Sequence, residues 1–169
     1  MGWRYDFYKN DAAGYTPKWG GVTPHFGVYS MLCKKYGVIM KLGYTIIYVP
    51  EVEESLAFFE AAFDFSRRFL HESGDYGELE TGETTLAFAS YELGSMNFPD
   101  GIIGASLSSK PLGFEVALVT TDVAGAHTKA LSKGATEIKA PESKPWGQTV
   151  SYVRCPDGTL VEICSPISS

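Results

Sequence analysis

The order of apolar and polar positions from residue 41 onward predicts a β-α-β-β-β module. The segment 44–49, YTIIYV, is β-branched and aromatic and is typical of a strand. The segment 51–63 has apolar side chains at helical spacing and three early glutamates, which favour the first turn of a helix. Three short extended segments follow, at 66–71, 76–80 and 84–90. The first module is therefore predicted over about 41–90.

The same order of elements returns in the second half of the chain. The segment 114–119, FEVALV, predicts a strand, and a helix is predicted to begin at Asp122 and to end near Gly134, which suits a left-handed cap. Three further extended segments complete the order, at 135–140, 148–154 and 159–165. The second module is predicted over about 112–167.

The two modules align with each other at a constant offset. Superposing YTIIYVPEV on EVALVTTDV places Tyr44 on Glu115 and Glu51 on Asp122, an offset of 71 positions in both cases. The stretch between the modules, about 91–111, is rich in Gly, Ser and Pro and is predicted to be a linker. Residues 40–169 are therefore predicted to form one domain that arose by internal duplication.

Charge separates the first 39 residues from this duplicated body. Residues 1–39 carry five basic and two acidic side chains, a net charge of +3. Residues 40–169 carry a net charge of −9, which gives the whole chain a net charge of −6. The segment 1–39 is also aromatic and turn-rich, and we interpret it as an irregular N-terminal extension of unknown role. It is either an upstream extension or an arm that packs on the body or on a partner subunit.

Composition excludes several classes of partner. The acidic body, with an isoelectric point near 5.0, lacks the clustered Lys and Arg that nucleic-acid binding requires. No apolar run approaches the length of a membrane span. The three cysteines show no CxxC spacing, which argues against a disulfide framework or a zinc knuckle and favours a cytoplasmic location. We expect a small organic ligand rather than a nucleic acid or a membrane.

Two segments resemble a known superfamily. YVPEVEESLAFFEAAFDF resembles the opening strand and helix of the vicinal oxygen chelate superfamily, and KPWGQTVSYVRCPDGTLVEICSP resembles its closing hairpin. That superfamily includes glyoxalase I, ring-cleaving dioxygenases and bleomycin resistance proteins. The resemblance implies an α+β fold in which two tandem βαβββ modules form curved sheets around a shared cleft, and it implies a homodimer.

The resemblance also implies where a metal would bind in metal-dependent members. It places the usual ligand positions on Tyr44, on the strand 84–90, on Glu115 and on Glu162, and only Glu162 matches the family pattern. On the strand 84–90 we expect Leu86, Phe88 and Ser90 to face the cleft. A neutral Tyr phenol is a poor ligand, so we expect no standard metal site. The alternative is a divalent metal held by Tyr44, Glu115 and Glu162.

Candidate site residues follow from the positions that face the cleft. Glu162 and Glu115 are the candidate catalytic residues, because two neighbouring carboxyl groups share a proton and one of them then serves as a general base. The competing interpretation is that they only bind ligand or hold the structure by hydrogen bonds. Aromatic side chains on the cleft strands are candidate ligand-binding residues: Tyr44, Tyr48, Phe88, Trp146 and Tyr152.

Three functions remain open on the sequence alone. The leading hypothesis is a small-molecule-binding protein of the glyoxalase/bleomycin-resistance type that works without a standard metal site or other cofactor. The first alternative is a divalent-metal-dependent lyase, isomerase or dioxygenase of the same superfamily. The second alternative is an interaction module that uses the N-terminal arm.

Overall fold

Both predicted modules are present in the computed structural model, which describes residues 40–167. The first module contains β1 (Tyr44–Val49), α1 (Val52–Phe63), β2 (Arg67–Leu70), β3 (Tyr76–Leu79) and β4 (Thr85–Ser90). The second module contains β5 (Val116–Val119), α3 (Val123–Ser132), β6 (Thr136–Ser143), β7 (Thr149–Arg154) and β8 (Leu160–Cys164). The predicted extension, residues 1–39, lies outside the described residues.

Each module forms its own four-stranded mixed sheet. The strand order is β1-β4-β3-β2 in the first sheet and β5-β8-β7-β6 in the second. In each sheet the first and last strands of the module run parallel, and the other pairs are antiparallel. A helical crossover is what a parallel pair requires, and α1 and α3 supply it. The α+β fold class with two tandem βαβββ modules is confirmed.

The linker is more regular than its composition predicts. It contains a short helix, α2 (Tyr91–Asn97), and a 3-10 turn at Ala105–Leu107. The Ser90 hydroxyl caps α2 by accepting a hydrogen bond from the Leu93 backbone N–H at 3.1 Å. Gly94 lets α2 approach the first sheet, since a Cβ there would lie 2.8 Å from the Tyr48 ring. Glycine in this segment therefore allows close packing instead of marking a loop.

The hydrophobic core lies between the helices and one face of each sheet. Leu56 and Phe59 of α1 are fully buried, and Phe59 packs on Phe88 of β4 with the ring centroids 5.0 Å apart. In the second module Val161 and Ile163 of β8 face the helix side in the same way. Burying side chains of this size stabilises the fold by roughly 1.5–3 kcal/mol each. The opposite face of each sheet is called here the open face.

No helix within residues 40–167 is long and apolar enough to span a membrane.

Candidate functional site

Three polar side chains meet on the open face of the second sheet. Glu162 lies on β8 and pairs across the ladder with Tyr152 of β7 on one side and with Ala117 of β5 on the other. Glu115 precedes Ala117 by two residues and so has the same facing. The Glu162 carboxyl interacts with both the Glu115 carboxyl and the Tyr152 side chain. The structure therefore brings together the two predicted catalytic carboxylates and one predicted ligand-binding residue.

The neighbourhood of Glu162 favours its protonated form. Partial burial raises the pKa of Glu162, and the nearby carboxyl group of Glu115 raises it further. The Tyr152 hydroxyl and the charge of Lys144 act in the opposite direction and do not cancel the rise. Two carboxyl groups in this arrangement are able to share one proton, which leaves a hydroxyl donor and several acceptor oxygens on one surface.

The same burial and charges act on the neighbours of Glu162. Desolvation and the carboxylates of Glu162 and Glu115 raise the pKa of both Tyr152 and Cys164. The Cys164 thiol therefore stays neutral and is a poor nucleophile. The pKa of the Cys155 thiol is also raised by burial and by Asp157, so neither described cysteine is activated.

Lys144 is a site residue that sequence reasoning missed. It lies in the turn between β6 and β7, where its ammonium group bonds the Glu142 carboxylate at 2.9 Å and also attracts the charge of Glu162. The only feature of the sequence that pointed to Lys144 was its position two residues before Trp146, in the segment KPWG. Lys144 supplies partial charge compensation at the edge of the carboxylate pair.

Trp146 lies in the same turn as Lys144. Its side chain is 62% exposed, and its indole N–H donates to the Gln148 side-chain oxygen at 2.8 Å. An exposed, oriented ring beside a polar surface suits a ligand wall. The role of Trp146 in ligand binding stays a prediction.

The open face of the first sheet is occupied by an internal ion network. The Arg68 guanidinium donates two hydrogen bonds to the Glu80 carboxylate, at 2.8 and 2.9 Å, and one to the Thr85 hydroxyl at 2.8 Å. Glu78 lies 3.8 Å from Arg68 and accepts a hydrogen bond from the Tyr76 hydroxyl at 3.0 Å. The carboxylates of this face are therefore neutralised by the protein itself.

Tyr44 belongs to this first network rather than to the carboxylate pair. Its side chain is 56% exposed, and the titratable groups that it affects are Arg68 and Tyr76. None of the groups that shift the pKa of Glu162 is Tyr44. The predicted association of Tyr44 with Glu115 and Glu162 is thus not seen among these contacts.

The predicted facing of β4 is wrong. Phe88 is 0% exposed and packs on Phe59 of α1, and Leu86 lies in the same core cluster, so both point away from the open face. All six residues of β4 are buried. The strand therefore lacks the alternation of apolar and polar residues that would have shown which side chains point to the core. Phe88 is therefore a core residue and does not line a ligand site on the open face.

Tyr48 faces the open side of β1 but is covered by the linker. Its ring makes an edge-to-face contact with Phe98, with the centroids 5.8 Å apart. It lines a pocket of about 380 Å³ between β1, the linker and β8. A role of Tyr48 in ligand binding stays a prediction, in a place distinct from the carboxylate pair.

The donor set does not suit a divalent metal. The β1–β4 ladder pairs Ile46 with Ala87, and the β5–β8 ladder pairs Ala117 with Glu162. Ile46 and Ala117 are related by the offset of 71 positions, so Ala87 holds the position in the first module that Glu162 holds in the second. Alanine carries no donor atom. Among residues 40–167 no group of three or more His, Cys, Asp or Glu is placed to hold a metal ion. Besides the two carboxylates, the neighbouring donor of these types is the buried Cys164, whose thiol is held in its neutral form.

Comparison with known proteins identifies the family. A model of the glyoxalase-like domain matches residues 42–168. No curated protein gives a significant match.

Solved structures of similar fold cover most of the chain. A glyoxalase-related enzyme from Fulvimarina pelagi has a TM-score of 0.64 at 18% identity, over 76% of this chain and 89% of its own. A glyoxalase/bleomycin resistance protein/dioxygenase family enzyme from Burkholderia phytofirmans PsJN has a TM-score of 0.63 at 20% identity, over 75% of this chain and 98% of its own. A superfamily member from Sphaerobacter thermophilus has a TM-score of 0.58 at 21% identity, over 76% and 98%. These likenesses concern the fold. Together with the domain match, they place the chain in the glyoxalase-like domain family of the vicinal oxygen chelate superfamily.

Proposed function

We propose that the chain binds a small organic molecule on the open face of the second module, through Glu115, Tyr152 and Glu162. One observation carries the proposal: two carboxyl groups interact with each other there, and partial burial together with the charge of Glu115 raises the pKa of Glu162. Glu162 is partly buried whereas Glu115 is exposed, and a partly buried carboxylate beside a second one is costly unless a partner compensates it. The first module offers a contrast, because Arg68 already satisfies its carboxylates.

The carboxylate pair favours a ligand that donates hydrogen bonds or carries a positive charge. An amine or a guanidinium group would gain from two carboxylates and would stabilise their ionised form. Binding of such a group would lower the pKa of Glu162. Tyr152 and the exposed ring of Trp146 then offer flat surfaces for the rest of the ligand.

Metal-free proton transfer is a second candidate function. A carboxyl with a raised pKa is a better base than an ordinary glutamate once it is ionised, and Glu162 meets this condition. A divalent-metal lyase, isomerase or dioxygenase is less well supported, because Ala87 replaces a donor and Tyr44 belongs to the Arg68 network.

A ligand screen with matched variants tests the proposal. Thermal shift over amines, guanidines and aromatic metabolites should find compounds that raise the melting temperature, because a ligand that binds only the native state stabilises it. Glu162→Gln and Glu115→Gln should abolish the shift, whereas Glu78→Gln, on the open face of the first sheet, should keep it. Equal shifts in all three variants would overturn the proposal.

Calorimetry and metal analysis separate the candidate functions. Titration of a hit across a pH series, in buffers of different ionisation enthalpy, should show proton release by a cationic ligand at the pH values between the bound and the free pKa of Glu162. Stoichiometric metal that is lost in Glu162→Ala, together with activity restored by added Mn, Fe, Zn or Ni, would favour the metal-dependent alternative instead.

We also propose that the protein is a homodimer. Strands β1 and β5 stand at the ends of their sheets, and an end strand presents unpaired backbone groups that a second copy is able to use. Phe114 and Val119, beside and on β5, are largely exposed apolar side chains that support such an interface. Light scattering that gives a monomer mass at high concentration would refute this proposal.

A further inference from the structure

A positively charged group lies on the same open face as the carboxylate pair, at the β6 edge of the second sheet. The β6–β7 ladder pairs Lys139 with Tyr152, and the β7–β8 ladder pairs Tyr152 with Glu162. Directly paired residues of neighbouring strands point to the same face of a sheet. Lys139, Tyr152 and Glu162 therefore form one row across the open face, with the lysine at one end and the carboxyl group at the other.

Two lysines at this edge share a single carboxylate. The ammonium groups of Lys139 and Lys144 both contact the Oε2 atom of Glu142, that of Lys144 at 2.9 Å. Hydrogen bonds from the two lysines lower the pKa of Glu142 to about 2, so this carboxylate is ionised at neutral pH. Two positive charges and one negative charge leave these three residues, called here the lysine cluster, with a surplus of one positive charge.

The surplus charge and the carboxylate pair do not compensate each other. Lys139 and Glu162 are separated by one strand, so their backbones lie roughly 10 Å apart at a strand spacing of about 4.8 Å. Salt screens exposed charges over about 8–10 Å, so the attraction between the two ends is weak. Lys144 attracts the charge of Glu162 but does not cancel the rise in its pKa. In the first module, by contrast, Arg68 contacts the carboxylates of its own face directly.

We propose that the ligand of the second module is dipolar: its ammonium or guanidinium group binds the carboxylate pair, and a carboxylate at its other end binds the lysine cluster. This inference rests on the proposed function, because it assigns the second end of the ligand that the carboxylate pair binds. The two charged groups of the ligand should lie roughly 6–10 Å apart, to match the row from Lys139 to Glu162. An amino acid with its amine at the far end of an alkyl chain is the simplest molecule of this class.

The matched probes are 6-aminohexanoate and hexylamine, which differ only by a carboxylate or a methyl group at the end of the same chain. Titration of the full chain at low salt, followed by NMR chemical shifts, should show about tenfold tighter binding of 6-aminohexanoate, equivalent to about 1.4 kcal/mol. This preference should shrink as salt is added, because it arises from exposed charges.

Variants of the lysine cluster should change the preference in opposite directions. Lys139→Met and Lys144→Met should each bring the ratio of the two affinities close to one, because Glu142 then balances the remaining lysine. Glu142→Gln should widen the preference, because it frees both ammonium groups for the ligand. Lys133→Met, at an exposed position just after α3, is the control and should leave the ratio unchanged. Circular dichroism checks that all four variants fold.

The outcomes separate this inference from the proposed function. Loss of hexylamine binding in Glu162→Gln reports on the carboxylate pair alone. Equal affinities of the wild type for the two probes, an unchanged ratio in both lysine variants, or a smaller ratio in Glu142→Gln would overturn the inference and leave the carboxylate pair as an amine site. A wild type that binds neither probe at millimolar concentration would also overturn it, whereas the proposed function is then decided by the wider ligand screen.

Discussion

Ala87 and Glu162 hold the same position in the two modules, each on the last strand and facing the open side. Their ladder partners, Ile46 and Ala117, are related by the offset of 71 positions that aligns the two halves. One copy thus carries a carboxylate where the other carries a methyl group. The two modules share one strand order, and the carboxylate pair lies on the second.

Replacing the carboxyl of Glu162 should change how stability depends on pH. The folded-state pKa of Glu162 is raised, so the native state binds more protons than the unfolded state between the unfolded value, about 4.3, and the folded value. The favourable contribution is full below that window and is lost as pH rises through it. Glu162→Gln cannot ionise, so it should be more stable than the wild type near pH 8 and equally stable near pH 4.

Urea unfolding at pH 4, 6 and 8 measures this effect. Glu72→Gln, at an exposed position, is the control and should show no such trend. A Glu162→Gln variant that is destabilised by the same amount at every pH would show that the carboxyl is not strained by Glu115.

Truncating Phe88 should damage the core and not the ligand site. Phe88→Ala removes a fully buried ring that packs on Phe59, so we expect a loss of about 3–5 kcal/mol in the free energy of unfolding. Tyr44→Ala, at a largely exposed position, should cost only about 0.5 kcal/mol. Similar losses at the two positions would contradict the facing of β4, and chemical denaturation measures both.

The thiols of Cys155 and Cys164 should react slowly in the native protein. Both are buried, and burial together with nearby carboxylates raises the pKa of each. In a Cys33→Ser background, Ellman's reagent at pH 8 should therefore modify neither thiol before unfolding and both after it. A thiol that reacts rapidly in the folded protein would contradict this prediction.

Removing Arg68 should leave the carboxylates of Glu78 and Glu80 without the positive charge that neutralises them. The Arg68 hydrogen bond lowers the pKa of Glu80, so this contribution is present above the unfolded pKa and is lost as pH falls through the folded value. Arg68→Met should cost about 1 kcal/mol or less at pH 7, because the pair is partly exposed, and less near pH 3. Arg68→Lys should not restore the whole amount, since an ammonium group cannot make the two parallel bonds to Glu80. A pH-independent loss would assign Arg68 a packing role.

Hydrophobic spacing by itself determined the modules. The strand 44–49 and the helix after it were predictable because the spacing of their apolar residues and the Pro50 that separates them are local properties of the sequence. The alignment of Tyr44 with Glu115 also came from the sequence itself, whereas the choice of Glu115 and Glu162 as a carboxylate pair came from the superfamily resemblance. Local patterns suffice to predict an element and its buried face when one face of the element is buried and the other is exposed.

Only the tertiary structure decided the facing of β4 and the partners of the charged groups. A strand buried on both sides has no alternation, so Phe88 and Ala87 could not be assigned to their faces from sequence. Arg68 meets Glu80 through β2–β3 pairing, and Lys144 reaches Glu162 through the turn between β6 and β7, both of which depend on register. Arg154 and Gly158 likewise meet Ala105, a contact about fifty residues away along the chain that no local signal encodes.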